Sequence, residues 1–144
     1  MSKIIGIDLG TTFSAIAQLD DLGNPEIIPN PENNNKITRS AVYIGKDNAI
    51  VGDKALEASI TEPKKVAKKA KLKMVDEGVF STKEGEWVDG KKGYTPSQVS
   101  SLVLSKLKDY TSGVKKVAIT VPAHFAEASR KATLDAAKLY GLEA

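Results

Sequence analysis

The heptapeptide Ile7-Asp8-Leu9-Gly10-Thr11-Thr12-Phe13 gathers residue types that phosphate chemistry requires. Gly10 allows a sharp turn and a close approach of backbone to ligand. Successive N–H groups of Thr11, Thr12 and Phe13 can then converge on one anion. Asp8, at the end of an apolar run, can hold Mg²⁺ through its waters, because magnesium keeps most of its hydration and takes one or two carboxylates. The same residues also fit a plain β-hairpin with Gly10-Thr11-Thr12 as its turn and a solvated Asp8. An Asp-x-Gly spacing alone does not choose between them.

Other reactive side chains are few. Lys64, Lys65, Lys68, Lys69, Lys71 and Lys73 crowd one short stretch. Its plain reading is the solvated face of a helix, as charge runs usually are. Val66, Ala70 and Met74 give that helix an apolar stripe too thin for a membrane anchor. No aromatic residue interleaves the lysines as a single-strand stacking platform needs. Neither a membrane nor a specific nucleic acid is therefore expected as a partner. His124 is the single histidine and there is no cysteine. Multi-histidine zinc sites, thiolate sites and cysteine nucleophiles are excluded. His124 reads as a packing or hydrogen-bonding residue.

The elements that must position these residues are legible in outline. The chain has 144 residues, 41% of them hydrophobic and 27% charged, with a net charge of +3. That is ordinary for one globular domain. No run approaches the length of a membrane span, no signal-peptide pattern follows Met1, and a reducing cytosol is the expected compartment. Lys3–Leu9 is a short apolar strand, and Phe13–Leu19 alternates as a half-buried strand does. With Glu26-Ile27-Ile28 after a glycine turn, they predict an antiparallel meander. Asn30–Asn35 is a loop. Ser40–Gly45 and Ala49–Gly52 predict two further strands, and Asp53 a helix cap. A second helix is expected to begin near Pro63, a favoured first helical residue. Turn formers around Trp87-Val88 predict a hairpin within Val79–Gly93. Thr95-Pro96-Ser97-Gln98 is a capping box, and Val99, Leu102, Val103, Leu107 and Tyr110 recur behind it at helical spacing until Gly113. Lys116–Val121 is an apolar strand ended by Pro122, and a last helix is expected over Glu127–Tyr140. A mixed α/β domain follows. The chain stops at Gly141-Leu142-Glu143-Ala144, where Leu142 reads as the start of a new strand, so a piece of a longer chain is expected.

Ile4 to Ser14, Ile-Ile-Gly-Ile-Asp-Leu-Gly-Thr-Thr-Phe-Ser, resembles the opening of the seventy-kilodalton heat-shock chaperones, the DnaK family. Val117–Phe125, followed by Arg130–Thr133 and Gly141-Leu142-Glu143, is a second match, and Val51–Ala55 with Pro63 beyond it is a third. They fall in family order and span nearly the whole chain. The resemblance implies a ribonuclease H-like, actin-like ATPase fold, a mixed sheet with packed helices. It also implies a core subdomain over approximately 1–60 and 114–144 and a small, trimmed peripheral subdomain over 61–113. By position, Gly10, Thr11, Thr12 and Phe13 correspond to the first phosphate loop and Asp8 to the metal-side carboxylate. Counting eight residues from Pro63 makes Lys71 the catalytic lysine; a slip of two would make it Lys69 or Lys73. Pro122 and Arg130 correspond to the family's proline switch and arginine relay.

The implied function is ATP binding and hydrolysis, with Mg²⁺, in a stress-response chaperone that assists protein folding. Its implied partners are unfolded polypeptide clients, a J-domain co-chaperone and a nucleotide-exchange factor. The family's second phosphate loop, adenosine pocket and catalytic Glu correspond to nothing before Ala144. Weak ATP binding and little hydrolysis are therefore expected of this chain. Arg39 stands where the family has proline, His124 where it has tyrosine, and Ala126 where it has a capping Asn or Asp. These changes and the lysine-rich stretch keep a non-catalytic regulatory relative as an alternative. A sugar-kinase lobe, which also opens Asp-x-Gly-Thr-Thr, is the weaker one.

Overall fold

The computed structural model describes residues 3–10, 12–46, 48–70, 78–89, 92–111, 114–120, 131 and 133–134. Strands β1 (Lys3–Leu9) and β2 (Phe13–Leu19) form the expected hairpin, with Leu9 opposite Ser14. Short strand β3 (Pro25–Ile27) extends the meander on β2. Strand β4 (Thr38–Arg39) also pairs with β2, and β5 (Val42–Ile44) with β6 (Ala49–Val51) makes the second hairpin. Helix α1 runs over Asp53–Ala58.

Past α1 the helix expected near Pro63 does not begin there, and Ala70 is the first α-helical residue beyond it. Pro63–Lys65 is a single 3₁₀ turn, and Val66–Ala67 is strand β7, paired with Val42 and Tyr43 of β5. Val66 and Ala67 are both buried. Covering these apolar side chains against a strand outweighs the helix propensity of the flanking lysines, a case of tertiary context overriding local preference. Lys64, Lys65, Lys68 and Lys69 therefore do not form one solvated helical face; Lys71 and Lys73 lie outside the described residues. The Lys68 carbonyl accepts the Trp87 indole N–H at 2.9 Å. Asp53 is also not a cap: Gly52, at φ 100°, is the N-cap and Asp53 the first helical residue. Met74 lies outside the described residues.

The hairpin β8 (Val79–Ser81) and β9 (Glu86–Val88) and helix α2 (Pro96–Lys108) follow as predicted. The Thr95 hydroxyl accepts from the Gln98 N–H, and the Gln98 side chain accepts from the Thr95 N–H. Helix α2 ends at Lys108, before Gly113, which lies outside the described residues. Strand β10 (Val114–Ile119) pairs parallel with β1, giving the order β10-β1-β2-β3 with β4 also on β2. Of the last expected helix, Lys131, Thr133 and Leu134 are described and helical.

The alternation along β1 and β2 sorts the two faces of this sheet. Ile5, Ile7, Leu9 and Ile16 turn to one side, where Val99, Val103, Leu104 and Leu107 of α2 cover them in one buried cluster. Gly6, Asp8, Ala15, Ala17 and Ala118 belong to the other side, where small residues leave a cavity of about 350 Å³.

Candidate functional site

Asp8 is the next-to-last residue of β1 and lines that cavity together with Ile27, Ala118 and Thr120. The Thr120 hydroxyl donates to Asp8 Oδ1 at 2.8 Å. The parallel register explains the contact: Ile7 pairs with Ile119, and the Thr120 N–H donates to the Ile7 carbonyl at 3.0 Å. Asp8 is exposed, so its carboxylate keeps access to water. Among the described residues no cluster of three or more His, Cys, Asp or Glu could enclose a metal ion. One exposed carboxylate beside the Thr120 hydroxyl is compatible with a hydrated hard ion, which keeps several waters.

The loop after β1 is held from both sides. A Cβ built on Gly10 would lie 2.1 Å from the Phe13 carbonyl oxygen. Only glycine fits where the chain folds back this tightly. The Gly10 N–H donates to Ser14 Oγ at 3.3 Å, and Ser14 Oγ shares a hydrogen bond with Ser40 Oγ at 2.7 Å in the interior. The Ser40 N–H donates to the Thr12 carbonyl at 2.8 Å. Thr12 and Phe13 are therefore fixed against β4 and its following residue. The Phe13 ring lies under the Arg39 guanidinium, 4.8 Å from its centre, and Arg39 Nε meets Asp53 Oδ1 at 3.3 Å. Stacking of this kind holds a cation on an aromatic face.

Gly10, Thr12 and Phe13 thus occupy one braced turn with Asp8 at its entrance. Thr11, Lys71, Pro122 and Arg130 lie outside the described residues, as do His124 and Ala126. Thr120, Ser14 and Ser40 were not singled out in the sequence. Ser14 sits inside the loop motif, where its small hydroxyl at a core-facing position is the available signal. Thr120 gives none locally, because its place beside Asp8 follows from the pairing of β10 with β1. A larger cavity of about 430 Å³, lined by Ile50, Leu102, Glu32 and Lys106 among others, contains no residue of the loop.

Residues 4–144 match the sequence profile of the family described as Hsp70 protein. The chain belongs to the Hsp70 family. Its mixed sheet with packed helices is that family's actin-like ATPase fold. The Hsp70 family is one of chaperones that bind nucleotide, generally ATP or ADP with Mg²⁺, and that work with client polypeptides and co-chaperones.

Proposed function

We propose that this chain supplies the first phosphate loop of a DnaK-type, ATP-dependent folding chaperone of the cytosol. Gly10, Thr11, Thr12 and Phe13 cup the phosphates of ATP, and Asp8 faces the Mg²⁺ side through water. The observation that carries the reading is the enforced turn at Gly10, where no side chain fits and two serines hold the backbone in place. Bound Mg²⁺ supplies charge neutralisation of the phosphate oxygens. Thr120 orients the Asp8 carboxylate by donating to it. Lys71 is assigned the catalytic role and Pro122 with Arg130 the coupling role from the family pattern. The same pattern supports a core subdomain of about 1–60 with 114–144 and a peripheral one of 61–113. Unfolded clients, a J-domain co-chaperone and an exchange factor are the partners it implies.

A single loop on an open face covers little of a nucleotide, whereas small-molecule sites usually bury about 70–90% of their ligand. The dissociation constant expected for this chain is on the order of 1 mM, weak by the usual scale. Titration of the isotope-labelled chain with MgATP tests this. Amide shifts are expected at Gly10, Thr12 and Phe13, reduced by Asp8→Asn and by removing Mg²⁺. Shifts confined to other residues, or micromolar Mg²⁺-dependent binding, would overturn the reading.

A further inference from the structure

The β5–β6 hairpin leaves one backbone edge unpaired. The Gly45 N–H donates to the Asn48 carbonyl at 2.8 Å and the Gly52 N–H to the Ala41 carbonyl at 3.0 Å. Tyr43 and Ile50, midway between them, are therefore a hydrogen-bonded pair of the antiparallel ladder. In the alternate pairs, Val42 with Val51 and Ile44 with Ala49, the N–H and C=O groups point outward. On β5 that side is taken by β7, whereas β6 is the last strand of its sheet. Among the described residues the outward groups of Ala49 and Val51 have no partner.

The cavity of about 430 Å³ lies beside this edge, between β6 and α2. Ile50, Val51 and Leu102 give it apolar lining. A cleft of this size with a few polar groups has the usual form of a binding site. Its charges are unequally met. Lys106 Nζ donates to Glu32 Oε1, and Lys54 stands 4.0 Å from the other carboxylate oxygen. The Asp109 carboxylate and the Ser105 hydroxyl, one helical turn apart, have no partner among the described residues. Asp109 is also the C-cap of α2, where the negative end of the helix dipole adds to its charge. This end of the cleft lacks a cation.

We propose that the free edge of β6 takes up an extended peptide segment of a partner protein as an added strand. The main-chain groups of Ala49 and Val51 supply the ladder, as sheet edges do in strand addition. A basic side chain of the segment pairs with Asp109, and an apolar one on the same face, two residues along, meets Ile50 and Leu102. A second copy pairing edge to edge would offer Ala49-Ile50-Val51, which carries no cation for Asp109. The cavity contains no residue of the Gly10–Phe13 loop, so this surface is independent of the nucleotide.

The test is amide-shift titration of the 144-residue chain with three capped pentapeptides. They are Val-Lys-Val-Lys-Val, Val-Glu-Val-Glu-Val, and a copy of the first N-methylated throughout, which keeps its side chains and loses its donors. The lysine peptide is expected to shift Ala49, Val51 and the amides of Ser105 to Asp109, with a dissociation constant on the order of 1 mM or tighter. The other two should not shift them. Asp109→Asn should weaken the lysine peptide about fivefold, as loss of one exposed charge-assisted contact does. Ala49→Pro removes an outward N–H without touching the β5 ladder, and should abolish binding. If that variant fails to fold, the N-methylated peptide puts the same question to the wild type. Equal binding of the three peptides, or shifts confined to residues outside β6 and α2, overturns the proposal. So does n-butylammonium matching the lysine peptide, which would make the cleft a small-cation site. Dimerisation without peptide, seen by sedimentation and lost in Ala49→Pro, would give the edge to a second copy and overturn it as well.

Discussion

Gly10 and Ser14 are the positions where a single atom decides the site. Gly10→Ala would drive a methyl group onto the Phe13 carbonyl, and overpacking of this kind costs about 1–3 kcal/mol. The expected result is a lower urea midpoint together with loss of MgATP-induced shifts. Ser14→Ala removes the acceptor of the Gly10 N–H and the partner of Ser40. Buried groups left unpaired cost about 1–3 kcal/mol, so this variant should lose stability while Ser14→Thr, where its methyl group fits, loses less. Gly10 and Asp8 were legible in the sequence because glycine and a strand-terminal carboxylate carry their chemistry locally. The bracing of Asp8 by Thr120 was not, because the two residues are far apart in the chain and meet through a parallel pairing.

Elements whose signals are local and redundant were the readable ones. The capping box of α2 is such a case, and Thr95→Ala should lower stability by about 1 kcal/mol in chemical denaturation. Leu104 of α2 is fully buried against the β1–β2 face. Leu104→Ala should lower stability by about 2–5 kcal/mol by leaving a cavity. The strand β7 was the misread element. Proline at a helix-favouring position and a lysine-rich sequence both suggested a helix, yet Val66 and Ala67 pair with β5 and fill its side of the interior. Such a two-residue strand is invisible to periodicity, which needs several residues to declare a period. The described lysines, Lys64 and Lys65 in the 3₁₀ turn and Lys68 and Lys69 after β7, therefore do not share one helical face.

At the scale of the molecule, a polar strap joins the loop after β3 to α2. Lys106 Nζ donates to Glu32 Oε1, and Lys54 lies 4.0 Å from the same carboxylate. The hydrogen bond from Lys106, then its charge, holds the Glu32 carboxyl below its ordinary value of 4.5. A depressed carboxylate stabilises the native state fully above its unfolded value and loses that contribution as pH falls through its lower native value. Comparing Glu32→Gln with wild type, thermal melts should therefore differ near neutral pH and converge in acid. The gap should be under about 1 kcal/mol, because the group is largely exposed and screened. A gap that widens on acidification would contradict the assignment.

The tether from Trp87 to the Lys68 carbonyl has a practical corollary. Trp87 is the only tryptophan in the chain, and its ring packs edge-on against Phe80 at 5.5 Å between centres. The lone indole is thus wired to the backbone beside Lys69, making it a native fluorophore for that segment. Its emission should shift whenever the carbonyl it holds lets go, so the lysine segment can be followed in real time without any attached label.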